Sequence, residues 1–281
     1  MGQREAAVEA ERAHIPSLPP FSLWIDQTSR PGWTNMAIDL ALLDRAEHQG
    51  ESWLRLYTWN PHCLSFGRHE PAATRYDIDR IQALGLDTVR RPTGGRAVWH
   101  ARELTYAVVA PCTRFGSLRG AYLEIHRLLG DALTTLGIGA SLAPPIRIAR
   151  LDAGACFSQP VGGEVLVDGR KVIGSAQLRR GSALLQHGSI LLHDDQPVVT
   201  GLLRNPKRAD RADAATRAAA ALLPYRLGRP LLAREVAVAV VQSAARHWAG
   251  TVDLESDAEP ILRAAFRHYP QFRSSAWTWI R

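Results

Sequence analysis

VGGEVLVDGRKVIGSAQ, residues 161–177, is the stretch on which the fold turns. It sets two runs rich in β-branched and apolar residues, Val161–Val167 and Lys171–Gln177, on either side of Asp168-Gly169. That dipeptide accepts the positive φ of a type I′ turn, so the stretch predicts a hairpin. With Asp168 and Gly169 at the tip, Leu166 lies opposite Lys171, and Lys171 shares a strand face with Ile173 and Ser175. Ser182–His193 then supplies a further strand.

Upstream, Leu118, Tyr122, Ile125, Leu129, Leu133 and Leu136 mark one face of a long amphipathic helix that ends at Gly137. Leu86–Arg91 and Leu104–Ala110 predict strands, as do Trp53–Trp59 and His62–Phe66, and a helical stretch from Ile78 to Leu84 stops at Gly85. Met36, Leu40 and Leu43 recur at helical spacing, with Thr34 or Asn35 as N-cap and Gly50 near the end. Downstream, the chain from about residue 200 is helical, including Leu231–Trp248 and Ile261–His268. Strands mixed with helices in this order predict an α+β fold, a mixed or antiparallel β-sheet packed with α-helices. Residues 1–18 are polar, close on Pro16, and predict a flexible N-terminal arm; 19–281 carry no repeat or linker and predict one domain.

The 281 residues are 46% hydrophobic and 22% charged, enough to bury a core, which excludes a disordered or fibrous chain. Val236–Val241 is flanked by Arg234, Glu235 and Arg246, far short of the roughly 20 apolar residues a membrane span needs, and the first residues show no secretory signal. A cytoplasmic protein with no membrane partner is expected. The formal net charge is +7, and all but two of the 34 basic side chains are arginine, the exceptions being Lys171 and Lys207. The arginines are scattered, which argues against nucleic acid and suits encounter with an acidic protein. Three cysteines, Cys63, Cys112 and Cys156, have the spacing of neither a disulfide framework nor a zinc site.

Three stretches bear chemistry. RRPTGGRAVWH, residues 90–100, sits between predicted strands; Gly94-Gly95 either makes a plain turn or lets backbone amides approach a carbonyl oxygen or a phosphate. Its glycine and lysine spacings match neither a Walker loop nor a dinucleotide fingerprint. GACFSQP, residues 154–160, places Cys156 in a small-residue loop before the hairpin, as a nucleophile or as a small hydrophobe. Cys63 and Cys112, at strand ends, are structural. Lys171 either faces solvent or aims its ammonium into a pocket, where it lowers a thiol pKa or holds an acyl carbonyl. His187, in Gln186-His187-Gly188-Ser189, is a base or a satisfied strand histidine.

In this order, with Asn35-Met36-Ala37-Ile38-Asp39 before them and Glu103-Leu104-Thr105-Tyr106 between, these stretches resemble the biotin/lipoate protein ligase superfamily, in its lipoate ligase and octanoyltransferase branch. The resemblance covers about residues 20 to 200 and extends through QHGSILL. It implies that superfamily's catalytic-domain fold and a functional role for Lys171, which stands in the Gly-Arg-Lys-x-x-Gly-Ser setting. Cys156 followed by Phe157 is similar to the cysteine-dependent octanoyltransferases, which implies acyl transfer through a Cys156 thioester. The implied donor is octanoyl-acyl carrier protein. The implied acceptor is a lysine of a lipoyl-domain protein such as the glycine cleavage H protein or a 2-oxoacid dehydrogenase E2. Cys156 and Lys171 are then catalytic, and Arg91, Thr93, Gly94, Gly95, Arg96, His100, Gly174, Ser175, Ala176 and His187 contact substrate; no metal or ATP is required. The competing expectations are an ATP-dependent lipoate–protein ligase, an octanoyl amidotransferase between lipoyl-domain proteins, and a non-catalytic binder of acyl groups or nucleic acid.

Overall fold

A computed structural model describes residues 20–144, 162–206, 227–248, 253–254 and 258–280. The predicted arm, residues 1–18, and Cys156 lie outside the described residues. The fold is α+β, as expected. Its centre is a six-stranded sheet in which Ile173–Arg180 (β10) and Ala183–Leu191 (β11) are followed in space by Glu103–Pro111 (β6), Ser52–Tyr57 (β2), Phe21–Ile25 (β1) and Asp253–Leu254 (β12). The β10–β11, β11–β6 and β6–β2 pairs are antiparallel, and β1 is parallel to both β2 and β12.

The period of two along β6 explains why the sheet is covered on both faces. Leu104, Tyr106, Val108 and Ala110 enter one apolar core, whereas Ala107 and Val109 enter another. The first core is closed by helices Leu118–Thr135 (α2) and Ala233–His247 (α3), and the second by Gly32–Gln49 (α1) with the C-terminal residues Ile261, Ala265 and Phe272. Ser117 caps α2 by accepting from the Gly120 amide. The cap expected for α1 is not there. Pro31 precedes the first turn with no side-chain cap, and Asn35 lies inside the helix, where its amide donates to the carbonyls of Arg30 and Thr58. Those carbonyls offer Asn35 buried acceptors that a cap position would not.

Two small sheets flank the large one. Cys63–Phe66 (β3) pairs in parallel with Asp87–Arg90 (β4) and antiparallel with Val98–His100 (β5), so the loop from residue 91 to 97 joins neighbours of the same strand. Ala140–Leu142 (β7), Val165–Val167 (β8) and Arg170–Lys171 (β9) form the third sheet. Here the hairpin behaves as expected, with φ of 49° at Asp168 and 72° at Gly169 and Leu166 opposite Lys171. It is shorter than expected, however. Val172 donates to the Val165 carbonyl and accepts from the Leu191 amide, so the chain changes sheets there. Lys171 and Ser175 therefore belong to different sheets rather than to one strand face.

The C-terminal residues reach the glycine-containing loop through Arg90, whose side chain is fully buried. Its guanidinium donates to the carbonyls of Trp277 (2.8 Å) and Thr278 (2.9 Å) on one side and of Gly67 (2.5 Å) and Arg68 (3.1 Å) on the other. An Arg90→Ala variant takes the donor from four carbonyls, those of Gly67 and Thr278 buried, and about 3 kcal/mol of stability should be lost. Urea unfolding reads that loss, and limited proteolysis should cut first near the C-terminus.

Candidate active site

The site is built around a carboxylate in the middle of an apolar helix. Asp39 lies between Ile38 and Leu40 on α1 and is fully buried. Its Oδ1 accepts from Arg55 (3.1 Å), and its Oδ2 accepts from the Tyr57 hydroxyl (2.9 Å) and from His187 Nδ1 (2.9 Å). Arg55, also fully buried, donates further to Asp26 (2.8 Å) and to Asn35 Oδ1 (2.8 Å) and lies over the rings of Trp24 and Tyr57. Burial, with Asp39 beside it, pushes the Tyr57 phenol well up, so Tyr57 stays a donor.

Burial pulls the His187 pKa down, against the pull of Asp39. A neutral imidazole carries one proton, and a carboxylate can only accept, so that proton sits on Nδ1. His187 Nε2 is then the acceptor for Thr93 Oγ1, 2.6 Å away. The same arrangement occurs twice more. His100 Nδ1 faces Glu103 Oε1 at 2.6 Å, and its Nε2 meets Ser65 Oγ at 2.7 Å. His126 Nδ1 faces the Gly163 carbonyl at 2.7 Å, and its Nε2 meets Ser175 Oγ at 2.7 Å. Burial, helped by the charges of Lys171 and Arg119, brings His126 down to about 4, so it too is neutral.

The hydroxyls of Thr93 and Ser175 thus give their protons to His187 and His126 and keep lone pairs for something else. Ser175 accepts from the Tyr106 hydroxyl (2.6 Å), which accepts from Gln186 (3.0 Å), whose oxygen accepts from Gln177 (2.8 Å). Ser65 accepts from Arg91 (3.1 Å). Every donor in these chains has one direction.

Two of the three hydroxyls open on one cleft of about 400 Å³, its mouth included. Met36, Tyr57, Trp59, Val98 and Ala176 make its walls apolar, while Ser65, Arg91, His100, Ser175, His187 and Ser189 supply its polar groups. Gly188 keeps it open: a Cβ there would lie 2.3 Å from the Gly174 carbonyl and 2.7 Å from Ser175 Oγ. Arg91 shapes the rim by donating to the carbonyls of Gly94 (2.9 Å) and Arg96 (2.6 Å), which leaves that loop its amides to offer a ligand.

Of the residues singled out in the sequence, Arg91, His100, Gly174, Ser175, Ala176 and His187 line the cleft. Thr93 stands behind it, bonded to His187, and Gly94, Gly95 and Arg96 belong to the rim loop rather than to the lining. Lys171 is buried, not solvent-facing, and its Nζ lies 2.5 Å from Oε1 of Glu164, the residue just before β8, the strand paired with its own. It does not line the cleft; its charge acts on His126, which is bonded to Ser175. Cys63 is buried, and burial pushes its thiol well up, as suits a structural cysteine. Asp39, Ser65, Glu103, Tyr106 and His126 were not singled out as site residues. Asp39, a single carboxylate within an apolar run, and Glu103, at the head of a predicted strand, carried a signal; Ser65 and His126 carried none. Among the described residues no helix is long and apolar enough to cross a membrane, and no cluster of ligating side chains could hold a metal.

A model of the lipoyl protein ligase A/B catalytic domain matches residues 31–245. The chain belongs to that family. Relatives named octanoyltransferase LipM include that of Symbiobacterium thermophilum, 42% identical over 217 residues that cover 74% of this chain and 79% of that protein. The match to the Carboxydothermus hydrogenoformans relative of the same name is 44% identical over 61% of this chain and 65% of the relative, just under two thirds of its length. Among solved structures, a bi-partite lipoate protein ligase from Thermoplasma acidophilum superposes with a TM-score of 0.70 at 20% identity, over 93% of this chain and 98% of that one. Lipoate–protein ligase A bound with ATP gives 0.68 at 19% identity, over 93% and 99%. Both show the family's fold.

The buried neutral histidines set a pH limit on stability. A histidine whose folded pKa lies below its unfolded value near 6.5 contributes fully above pH 6.5, and that contribution is lost as pH falls through the window down to the folded value. For His126, down to about 4, the loss amounts to about 3 kcal/mol. Urea unfolding at pH 7, 5.5 and 4.5 should show stability falling steadily, with a shallower fall in His126→Gln.

Proposed function

We propose that this protein is an octanoyltransferase of lipoate assembly, moving an octanoyl group from acyl carrier protein through a thioester on Cys156 to a lysine of a lipoyl-domain protein. The observation that carries this reading is the cleft, whose lining joins the apolar Met36, Tyr57, Trp59, Val98 and Ala176 to the polar groups of Arg91, His100, Ser175 and His187. An eight-carbon chain laid along those walls gains roughly 5 kcal/mol from burial, at about 0.8 per methylene. The polar groups meet its carbonyl. The relatives named octanoyltransferase LipM support the same choice of acyl group.

Cys156 lies six residues before Gly162, whose carbonyl accepts from Arg119, and Gly163 is the acceptor of His126 at the Ser175 end of the cleft. In the first step the Cys156 thiolate attacks the donor thioester and expels the carrier's thiol. In the second, the lysine amine attacks the octanoyl-Cys156 carbonyl and releases the cysteine. The oxyanion of each step falls to the rim amides at Gly94 and Gly95, and the positive charge of the Lys171 ammonium favours the Cys156 thiolate. Glu164 fixes the position of that ammonium. The scheme needs no metal and no ATP, and the net charge of +7 suits encounter with acidic protein partners.

Intact-mass spectrometry after mixing with octanoyl-acyl carrier protein, without ATP, tests the reading. The wild type should gain one octanoyl group and Cys156→Ala none, while Lys171→Ala should slow transfer by at least about 10²-fold. No adduct on the wild type, with turnover only when ATP and free lipoate are supplied, would replace the transferase by a ligase.

A further inference from the structure

Three histidines hold hydroxyls around the cleft, and they are not equivalent as proton acceptors. A base that takes a proton must have its new charge stabilised by what stands behind it. Behind His126, among the described residues, is the Gly163 carbonyl, with the positive Lys171 and Arg119 nearby. Asp39, behind His187, already serves Arg55 and Tyr57. Glu103, behind His100, differs from both. It is buried, its Oε1 takes His100 at 2.6 Å, Thr105 at 2.7 Å and Ser189 at 2.9 Å, and its Oε2 has no hydrogen-bond partner among the described residues. No arginine or lysine neutralises it in any described ion pair. Trp59 stacks on the other face of the imidazole at 3.9 Å, a surface that also favours a cation. In front, Ser65 Oγ, 2.7 Å from His100 Nε2, faces the cleft.

We propose that Ser65, His100 and Glu103 form the proton relay of the aminolysis step, with Ser65 Oγ meeting the attacking amine. The proposal rests on the acyl-transfer reading above. As the amine nitrogen bonds to the acyl carbon, its proton passes to Ser65 Oγ and the Ser65 proton passes to His100 Nε2. The carbon–sulfur bond then breaks, its electron pair stays on sulfur, and the imidazolium returns the proton to that thiolate. Amide and thiol are formed, and the relay is restored. Ser65 touches the substrate, while Glu103 is a positioning residue that holds Nδ1 protonated and offsets the transient charge. The groups that face His100 are Glu103 from β6, Arg91 through Ser65, Cys63 opposite it on β3, and His187 across the cleft on β11.

The test separates the two half-reactions in wild type, Ser65→Ala, His100→Gln and Glu103→Gln, reading acylation as release of the carrier thiol and transfer as loss of the octanoyl adduct on adding lipoyl domain. Transfer should fall about 30-fold in Ser65→Ala and 100-fold in His100→Gln, at least about tenfold more than acylation falls in the same variants. In Glu103→Gln the acid limb of the transfer pH profile should move to lower pH with a lower plateau, because the imidazolium has lost its counter-charge. A merely structural role would lower the plateau without moving the limb. Transfer unchanged in Ser65→Ala and His100→Gln, or both half-reactions slowed alike, would overturn the relay while leaving the transferase standing. If wild type forms no octanoyl adduct, the transferase reading falls and the relay falls with it.

Discussion

Asp39 is the constraint on which the site depends. A carboxylate in the interior of an apolar helix costs several kcal/mol unless it is paired, and removing one partner strands the others. Here the pairing comes from three places at once: Arg55 and Tyr57 on β2 and His187 on β11. Because His187 in turn holds Thr93, a single charge fixes α1, two strands of the central sheet and the start of the glycine loop relative to one another. Apolar packing alone would allow those elements to slide by fractions of an ångström; oriented hydrogen bonds do not.

That rigidity has a chemical result. With an acceptor behind each histidine, each ring holds a proton on Nδ1, and the hydroxyls of Ser65, Thr93 and Ser175 lie within hydrogen-bond reach of Nε2. The cleft is therefore met by oxygen lone pairs at Ser65 and Ser175 and by the Arg91 cation, in fixed positions, before any ligand arrives. A site so preorganised suits an incoming N–H donor and a carbonyl oxygen, the two groups that an amine and a thioester bring together.

Much of this was legible in the sequence where local chemistry decides. Asp168-Gly169 imposed its turn and the Leu166–Lys171 register, and the apolar stripe of α2 placed that helix within a residue. The change of sheet at Val172 was not legible, because the alternation of apolar residues runs on without interruption while the pairing partner changes. β1, β5, β7 and β12 escaped for a related reason: each has five residues or fewer, and its partner is distant in the chain. At the site, ordered motifs pointed to Arg91, His100, Ser175 and His187. Lys171 came from the same source, yet the structure puts it on the adjoining sheet beside Glu164. Ser65 and His126 could not have been found, since what marks them is a three-dimensional pairing with a histidine or a hydroxyl far along the chain.

The account is tested most directly by the imidazole nitrogens themselves, observed by long-range proton–nitrogen correlation NMR on uniformly ¹⁵N-labelled protein at neutral pH. His126 and His187 should appear as neutral rings protonated on Nδ1, with Nε2 in the shift range of an unprotonated, hydrogen-bond-accepting nitrogen, and the Asp39→Asn substitution should disturb His187 alone. Rings protonated on Nε2, or present as imidazolium, would contradict it, because the hydroxyls would then have no acceptor and would turn their protons into the cleft.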